Sequence, residues 1–234
     1  MKTYLSRIFG GTAETFLKQT ESSMKQGKKE FIVTANPEIL MKAGNDPKIN
    51  EIVLTHTVVP DGISVVKAMK KAEIPVTERI TGVDLVEGLL KSAGENGLSV
   101  YFFGSKEEVA ADLARQQAIK YPNATYNYHN GYDGDKDLIF DEIKVLKPDL
   151  VIVALGVPAQ ELLISRHLDD FEKGIFIGAG GSFDVLSGHK QRAPEFFIKT
   201  NTEWLYRLLR EPSRLRRFYE NNIKFMGKVS KSLK

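Results

Sequence analysis

Six times along the chain a short apolar run of strand length stops at a small, polar or proline turn and gives way to a helical pattern. The junctions are FIVTANPE (Phe31–Glu38), THTVVPDGIS (Thr55–Ser64), SVYFFGSKEE (Ser99–Glu108), TYNYHNGYDG (Thr125–Gly134), DLVIVALGVPAQE (Asp149–Glu161) and GIFIGAGGSFD (Gly174–Asp184). Strands alternating with helices predict βαβ units on a parallel sheet. The run Asp149–Ala154 is apolar almost throughout, the pattern of a central strand buried on both faces. The predicted fold class is therefore α/β: a three-layer α/β/α arrangement with a mainly parallel, Rossmann-like sheet and a C-terminal helical appendage.

The pattern places strands at Phe31–Thr34, His56–Val59, Val100–Phe103, Thr125–Tyr128, Asp149–Ala154 and Ile175–Ile177. A short strand or arm precedes an amphipathic helix around Thr12–Lys25. Pro37 and Pro47 open helices, where their missing N–H costs nothing. Thr81 or Gly82 caps a helix carrying Val83, Leu85, Val86, Leu89 and Leu90 at helical spacing, with Gly97 as its stop. After His189 no further strand is predicted, and two amphipathic helices remain, near Asn201–Arg210 and Pro212–Lys228. The expected organisation is an α/β core over 1–190 and a helical appendage over 191–234.

At 234 residues, 42% apolar and 27% charged, the chain reads as an ordinary soluble globular protein of one large domain or two small ones. No apolar run reaches the roughly 18–20 residues that span a bilayer, and the N-terminus lacks the apolar stretch of a signal peptide. Both favour a cytosolic location. The absence of cysteine excludes disulfides, thiolate metal sites and a Cys nucleophile. Charge is unevenly spread: Lys190–Lys234 holds 12 Lys and Arg against 4 Glu, a net +8, which leaves −5 for Met1–His189. A basic tail on a weakly acidic body points to an anionic partner.

In an open α/β sheet, ligands bind beyond the carboxyl ends of the strands, so the turns that end the six apolar runs hold the candidate chemistry. Asp61 of PDGIS is either a general base or a turn and cap residue. Thr34 and Asn36 of TANPE suit sugar hydroxyls, with an Asn-Pro turn as the local alternative. Arg79 of ERITG stands beside a helix N-terminus, a plausible diphosphate seat, or else pairs with Glu78. Gln160 of GVPAQE is placed to bind an amide or hydroxyl. Gly180, Gly181 and Ser182 of GAGGSFD allow close approach of a phosphate or base to the backbone. The last Gly of G-x-G-x-x-G is missing there, and the run does not open a βαβ unit, which argues against a dinucleotide site. The acidic YDGDKD (Tyr132–Asp137) lacks Gly and Glu at the sixth and twelfth calcium-loop positions, which are Leu138 and Lys144. It reads as an acidic turn capping the next helix. His129 and His189 lack partners at metal-like spacing and read as polar site or loop residues.

The tail EWLYRLLREPSRLRRFYE interleaves Arg207, Arg210, Arg214, Arg216 and Arg217 with Trp204, Leu205, Tyr206, Leu208, Leu209, Leu215, Phe218 and Tyr219. Arginines beside an aromatic stripe suit lipid headgroups or pyrophosphate. Nucleic acid is the rival partner, and packing on the core the plain alternative. The apolar tail residues have three candidate covers: a neighbouring subunit of a homo-oligomer, the membrane and the chain's own core.

Taken together and in order, TANPE, PDGISVV, ERITGVDL, YFFGS, HNGY, PDLVIVALGVPAQE, IGAGGSFDVLSG, RAPEF and EWLYRLLREPSRLRRF resemble the WecG/TagA/CpsF family of bacterial glycosyltransferases. The resemblance runs from about Phe31 to Phe218. It implies transfer of an N-acetylmannosamine-type sugar from a UDP donor to a polyprenyl-diphosphate-linked N-acetylglucosamine, by an inverting mechanism without a metal or other cofactor. In the TagA branch the product is the linkage unit of wall teichoic acid. A donor variant in the same family uses N-acetylmannosaminuronic acid.

The same resemblance implies Asp61 as catalytic base, with Thr34, Asn36 and Gln160 near the sugars and Arg79 on phosphate or acceptor. It directs Gly180, Gly181, Ser182 and Asp184 to the uridine end of the donor. Arg207, Arg214 and Arg217 would close over the site and meet the diphosphates. The implied partners are the two substrates and the anionic inner face of the plasma membrane, with peripheral attachment there, and not nucleic acid.

Overall fold

All six apolar runs form strands of one sheet: β1 Lys29–Ala35, β2 Thr57–Pro60, β3 Ser99–Gly104, β4 Thr125–His129, β5 Leu150–Ala154 and β6 Gly174–Gly178. The computed structural model describes positions 1–233 apart from 212 and 214, and of Arg207 and Arg217 it describes the backbone alone. The strand order is β2-β1-β6-β5-β3-β4, and every pairing among the described strands is parallel. β6 lies between β1 and β5, so the turns after β1, β5 and β6 are brought side by side although they are distant in sequence.

Both faces of the sheet are covered because alternate residues of each central strand are apolar in both directions. Phe31, Val33, Phe103, Val153 and Phe176 point into one core, with Ile39, Leu40, Ile49, Ile52 and Ile164 from the helices Pro37–Ala43, Pro47–Thr55 and Ala159–His167. Ile32, Phe102, Ile152 and Ile177 point into the other, with Phe16, Leu85, Leu89 and Leu113 from the helices Ala13–Lys25, Gly82–Glu95 and Glu107–Lys120. The result is the expected helix–sheet–helix layering. Helix starts follow the sequence closely: Thr12, Asn36, Asp46, Thr81 and Asp135 each accept a backbone N–H of the first turn.

The start of the chain departs from expectation. In place of a short strand, Lys2–Leu5 is helical, and only Ile8 bridges β2 through Val58. Tertiary contacts explain this: Leu5 is fully buried, and the Tyr4 hydroxyl donates to Asn50 Oδ1 at 2.6 Å and to the Ala43 carbonyl at 3.1 Å. At the other end the two expected helices are present: one is Glu203–Arg210, preceded by a short turn of helix at Glu195–Lys199, and the other runs without a break from Leu215 to Ser232 with a π-helical turn at Tyr219–Ile223. Phe225 and Val229 of the last one are fully buried in the first core. Among the described residues no helix is long and apolar enough to cross a membrane.

Candidate active site

Three of the strand-end motifs meet around Gly82. Asp61 follows β2 directly, and its N–H donates to the Ala35 carbonyl at the end of β1 (3.0 Å). Asp61 Oδ1 accepts the Gly82 N–H at 2.8 Å, at the start of the helix Gly82–Glu95. A helix N-terminus favours a carboxylate at that position. A Cβ built on Gly82 would lie 3.8 Å from Thr34 Cγ2, 3.9 Å from Ser182 Oγ and 4.0 Å from Asp61 Oδ1. Motifs up to about 150 residues apart in sequence thus share one small volume at the carboxyl edge of the sheet.

The flanking groups are tightly held. Thr34 is buried, and its hydroxyl donates to the Gly178 carbonyl at 3.3 Å, joining β1 to β6. Asn36 Oδ1 accepts the Ile39 N–H at 3.0 Å and caps the helix after β1. Thr81 Oγ1 accepts the Asp84 N–H at 3.1 Å and donates to Asp84 Oδ2 at 2.5 Å. Arg192 of the RAPEF motif donates to the other oxygen of Asp84, also at 2.5 Å.

Arg79 does not pair with Glu78, whose Oε1 accepts the Ala13 N–H at 2.5 Å. It donates instead to Glu203 of the C-terminal segment, and the two side chains are only 10% and 9% exposed. Two further contacts bring that segment to the site: Ser64 Oγ donates to Asn222 Oδ1 at 2.8 Å, and Asn221 Nδ2 donates to Glu38 Oε2 at 3.2 Å. Glu38 and Ser64 belong to the first turns of the helices that follow Asn36 and Asp61.

Gln160, expected from the sequence to bind an amide or hydroxyl of a ligand, turns its side chain into the protein. It is 1% exposed, and its Oε1 accepts two backbone N–H groups, Gly156 after β5 and Gly180 after β6, each at 3.1 Å. Its Nε2 donates to Glu161 Oε1 at 2.8 Å. A Cβ at Gly178 would meet that Nε2 at 2.4 Å, so the glycine is what admits the amide. Glu161 is itself 1% exposed, and its Oε2 has no hydrogen-bond partner among the described residues. Burial pushes its carboxyl up to about 7 against the pull of the Gln160 hydrogen bond, and the charge of Glu38 adds to the rise.

Gly180 adopts a left-handed φ of +51°, and a Cβ on Gly180 or Gly181 would meet nothing within 4 Å. This turn leaves backbone accessible, as the sequence predicts. Ser182 is buried, and Asp184 pairs with Lys190 at 3.4 Å. Of the tail arginines, Arg214 and the side chains of Arg207 and Arg217 lie outside the described residues.

The acidic turn caps a helix as expected: Asp135 accepts the Asp137 N–H at 2.8 Å, and Asp137 pairs with Arg166 and His167 at 2.7 Å. Among the described residues no group of three or more His, Cys, Asp and Glu could hold a metal ion. An open cavity of about 400 Å³ beside this turn, lined by Asp135, Asp137, Leu155, Ala159 and Arg166, shares no residue with the convergence at Gly82. His129 bonds the Asn130 carbonyl and His189 pairs with Asp112.

Sequence reasoning missed Glu203, Asp84, Arg192, Glu161, Asn221 and Asn222. RAPEF and the N3 position of Asp84 were visible, but nothing local marks their partners.

The family model described as the glycosyl transferase WecG/TagA/CpsF family matches residues 3–234. Over 206 residues the chain is 39% identical to an N-acetylglucosaminyldiphosphoundecaprenol N-acetyl-beta-D-mannosaminyltransferase of Bacillus spizizenii, covering 87% of this chain and 80% of that relative. It is 40% identical to a protein of the same name from Staphylococcus aureus strain MW2, covering 86% and 80%.

Proposed function

Because this chain belongs to the WecG/TagA/CpsF family of glycosyltransferases, we propose that it moves N-acetylmannosamine from a UDP donor to the 4-hydroxyl of N-acetylglucosamine carried on undecaprenyl diphosphate. The product is the β-linked disaccharide on which wall teichoic acid is built. One observation carries the reading: a carboxylate, Asp61, stands at the edge of a small volume bounded by Thr34, Gly82 and Ser182. The relatives at about 40% identity supply the sugar and the acceptor through their name.

In this mechanism Asp61 takes the proton of the acceptor hydroxyl as that oxygen attacks the anomeric carbon. Attack from the face opposite an α-linked UDP inverts the centre and gives the β-linkage in one displacement. The Gly82 N–H orients the Asp61 carboxylate. The open Gly180–Gly181–Ser182 turn receives the nucleotide end, and Thr34 and Asn36 border the sugars. Charge building on the leaving UDP is met by backbone N–H groups and arginines. Arg79 is already paired with Glu203, so a diphosphate bound there competes with a carboxylate of the C-terminal segment.

We assign 1–190 as the catalytic unit and 191–234 as the piece that closes it and docks it peripherally on the inner face of the plasma membrane. Exposed Leu209, Leu215, Tyr219 and Ile223 beside basic residues support that docking. The assignment is tested by UDP release from UDP-N-acetylmannosamine with a short-chain lipid-diphosphate N-acetylglucosamine, run with EDTA. Acceptor-dependent release in EDTA is expected. Turnover only with the uronic acid donor would move the protein to another branch, and silence with both donors would overturn the assignment.

A further inference from the structure

The Gln160 side chain has one workable orientation. Its oxygen faces two N–H donors, Gly156 and Gly180, and its nitrogen faces a carboxylate oxygen of Glu161. Flipping the amide would set NH₂ against two donors and C=O against a carboxylate, losing three hydrogen bonds at once. The two backbone donors restrain the oxygen end of the amide. The restraint on its nitrogen end is Glu161, which when ionised can only accept. Glu161 occupies a costly place: it is buried, its second oxygen is unpartnered among the described residues, and burial and Glu38 both oppose its charge. A leucine or methionine would fill the same space without that penalty, so packing does not explain a carboxylate here.

We propose that Glu161 is a positioning residue for the transfer reaction: it locks the Gln160 amide, and through it holds the Gly156 and Gly180 turns in the arrangement that receives the donor. The proposal rests on the reading of the Gly180–Ser182 turn as the donor's nucleotide seat. Gly180 is the sensitive point. Its left-handed backbone and open surroundings leave the turn few other restraints, whereas β5 and β6 themselves are fixed by the sheet.

The test uses the full chain with Glu161→Gln, Glu161→Leu and Glu161→Met. Glu161→Gln keeps an oxygen for the Gln160 amide, and its UDP affinity and donor KM stay within about 3-fold of wild type. Glu161→Leu and Glu161→Met remove the acceptor, and their donor KM and UDP Kd rise at least about 10-fold, the size expected on losing a charge-assisted hydrogen bond. Their melting temperatures do not fall, because the cost of burying the carboxyl and its unpartnered oxygen is gone.

A merely structural role predicts the reverse, a lower melting temperature with unchanged KM, and would overturn the proposal. So would Glu161→Gln failing as badly as Glu161→Leu. Amide hydrogen exchange of Gly156 and Gly180 reads the clamp without any substrate. It accelerates in Glu161→Met, and unchanged protection there sinks the idea. Failure of the donor reading itself shows separately, as wild-type protein that does not bind UDP.

Discussion

Arg79 and Glu203, 124 positions apart, form a nearly buried ion pair that ties the start of the helix Gly82–Glu95 to the C-terminal segment. Removing one partner strands the other charge away from water. Glu203→Ala is expected to cost about 3–5 kcal/mol, while Arg79→Met with Glu203→Leu recovers most of it. Urea unfolding of Arg79→Met, Glu203→Leu and the double variant measures this coupling. Additive losses would show that the pair does not hold the segment.

Asp61→Asn keeps an oxygen for the Gly82 N–H and so keeps the local fold. It removes the basicity that the proposed reaction needs, and turnover is expected to fall about 10²–10⁴-fold. UDP release and the thermal midpoint are measured on the same sample. Near-normal turnover would refute the base assignment.

The Glu161 carboxyl sits near pH 7 in the folded protein, above its unfolded value of 4.5. A raised carboxyl pKa means that the folded state holds its proton more tightly than the unfolded state. Stability is therefore unaffected by this group below pH 4.5 and falls as pH rises to 7, then stays lower. A shift of that size corresponds to about 3 kcal/mol. In Glu161→Gln that pH-dependent loss disappears, and the wild-type and variant unfolding curves diverge only as pH rises through this window. Parallel profiles from pH 4.5 to 7 would contradict the raised carboxyl of the buried Glu161.

In the C-terminal segment, apolar residues divide by function. Phe225 is fully buried, and Phe225→Ala is expected to destabilise by about 3–5 kcal/mol. Leu209 is 68% exposed, so Leu209→Ser leaves stability within about 0.5 kcal/mol. It weakens sedimentation with vesicles of anionic phospholipid, if the exposed face meets the membrane. Equal sedimentation by wild type and Leu209→Ser would exclude Leu209 from that contact.

The sequence by itself determined the six strands, most helix starts and the layered fold, because these follow from local periodicity and from caps such as Asn36, Thr81 and Asp135. It also marked Asp61, Thr34 and Ser182 as strand-end residues, since apolar runs end abruptly there. What only the tertiary structure decided is which of these residues meet. The order β2-β1-β6-β5-β3-β4 places β6 beside β1 and so brings Ser182 to Thr34 and Asp61 around Gly82. Gln160 illustrates the limit: its first-turn position suggested a contact to a ligand amide or hydroxyl, yet the neighbouring Gly180 turn and Glu161 engage it as a buried brace. Arg79 likewise found Glu203 and not the adjacent Glu78. Local propensity acts over one or two turns of chain, whereas partner choice among charged and amide groups depends on which distant segments the sheet order and core packing bring within about 3 Å.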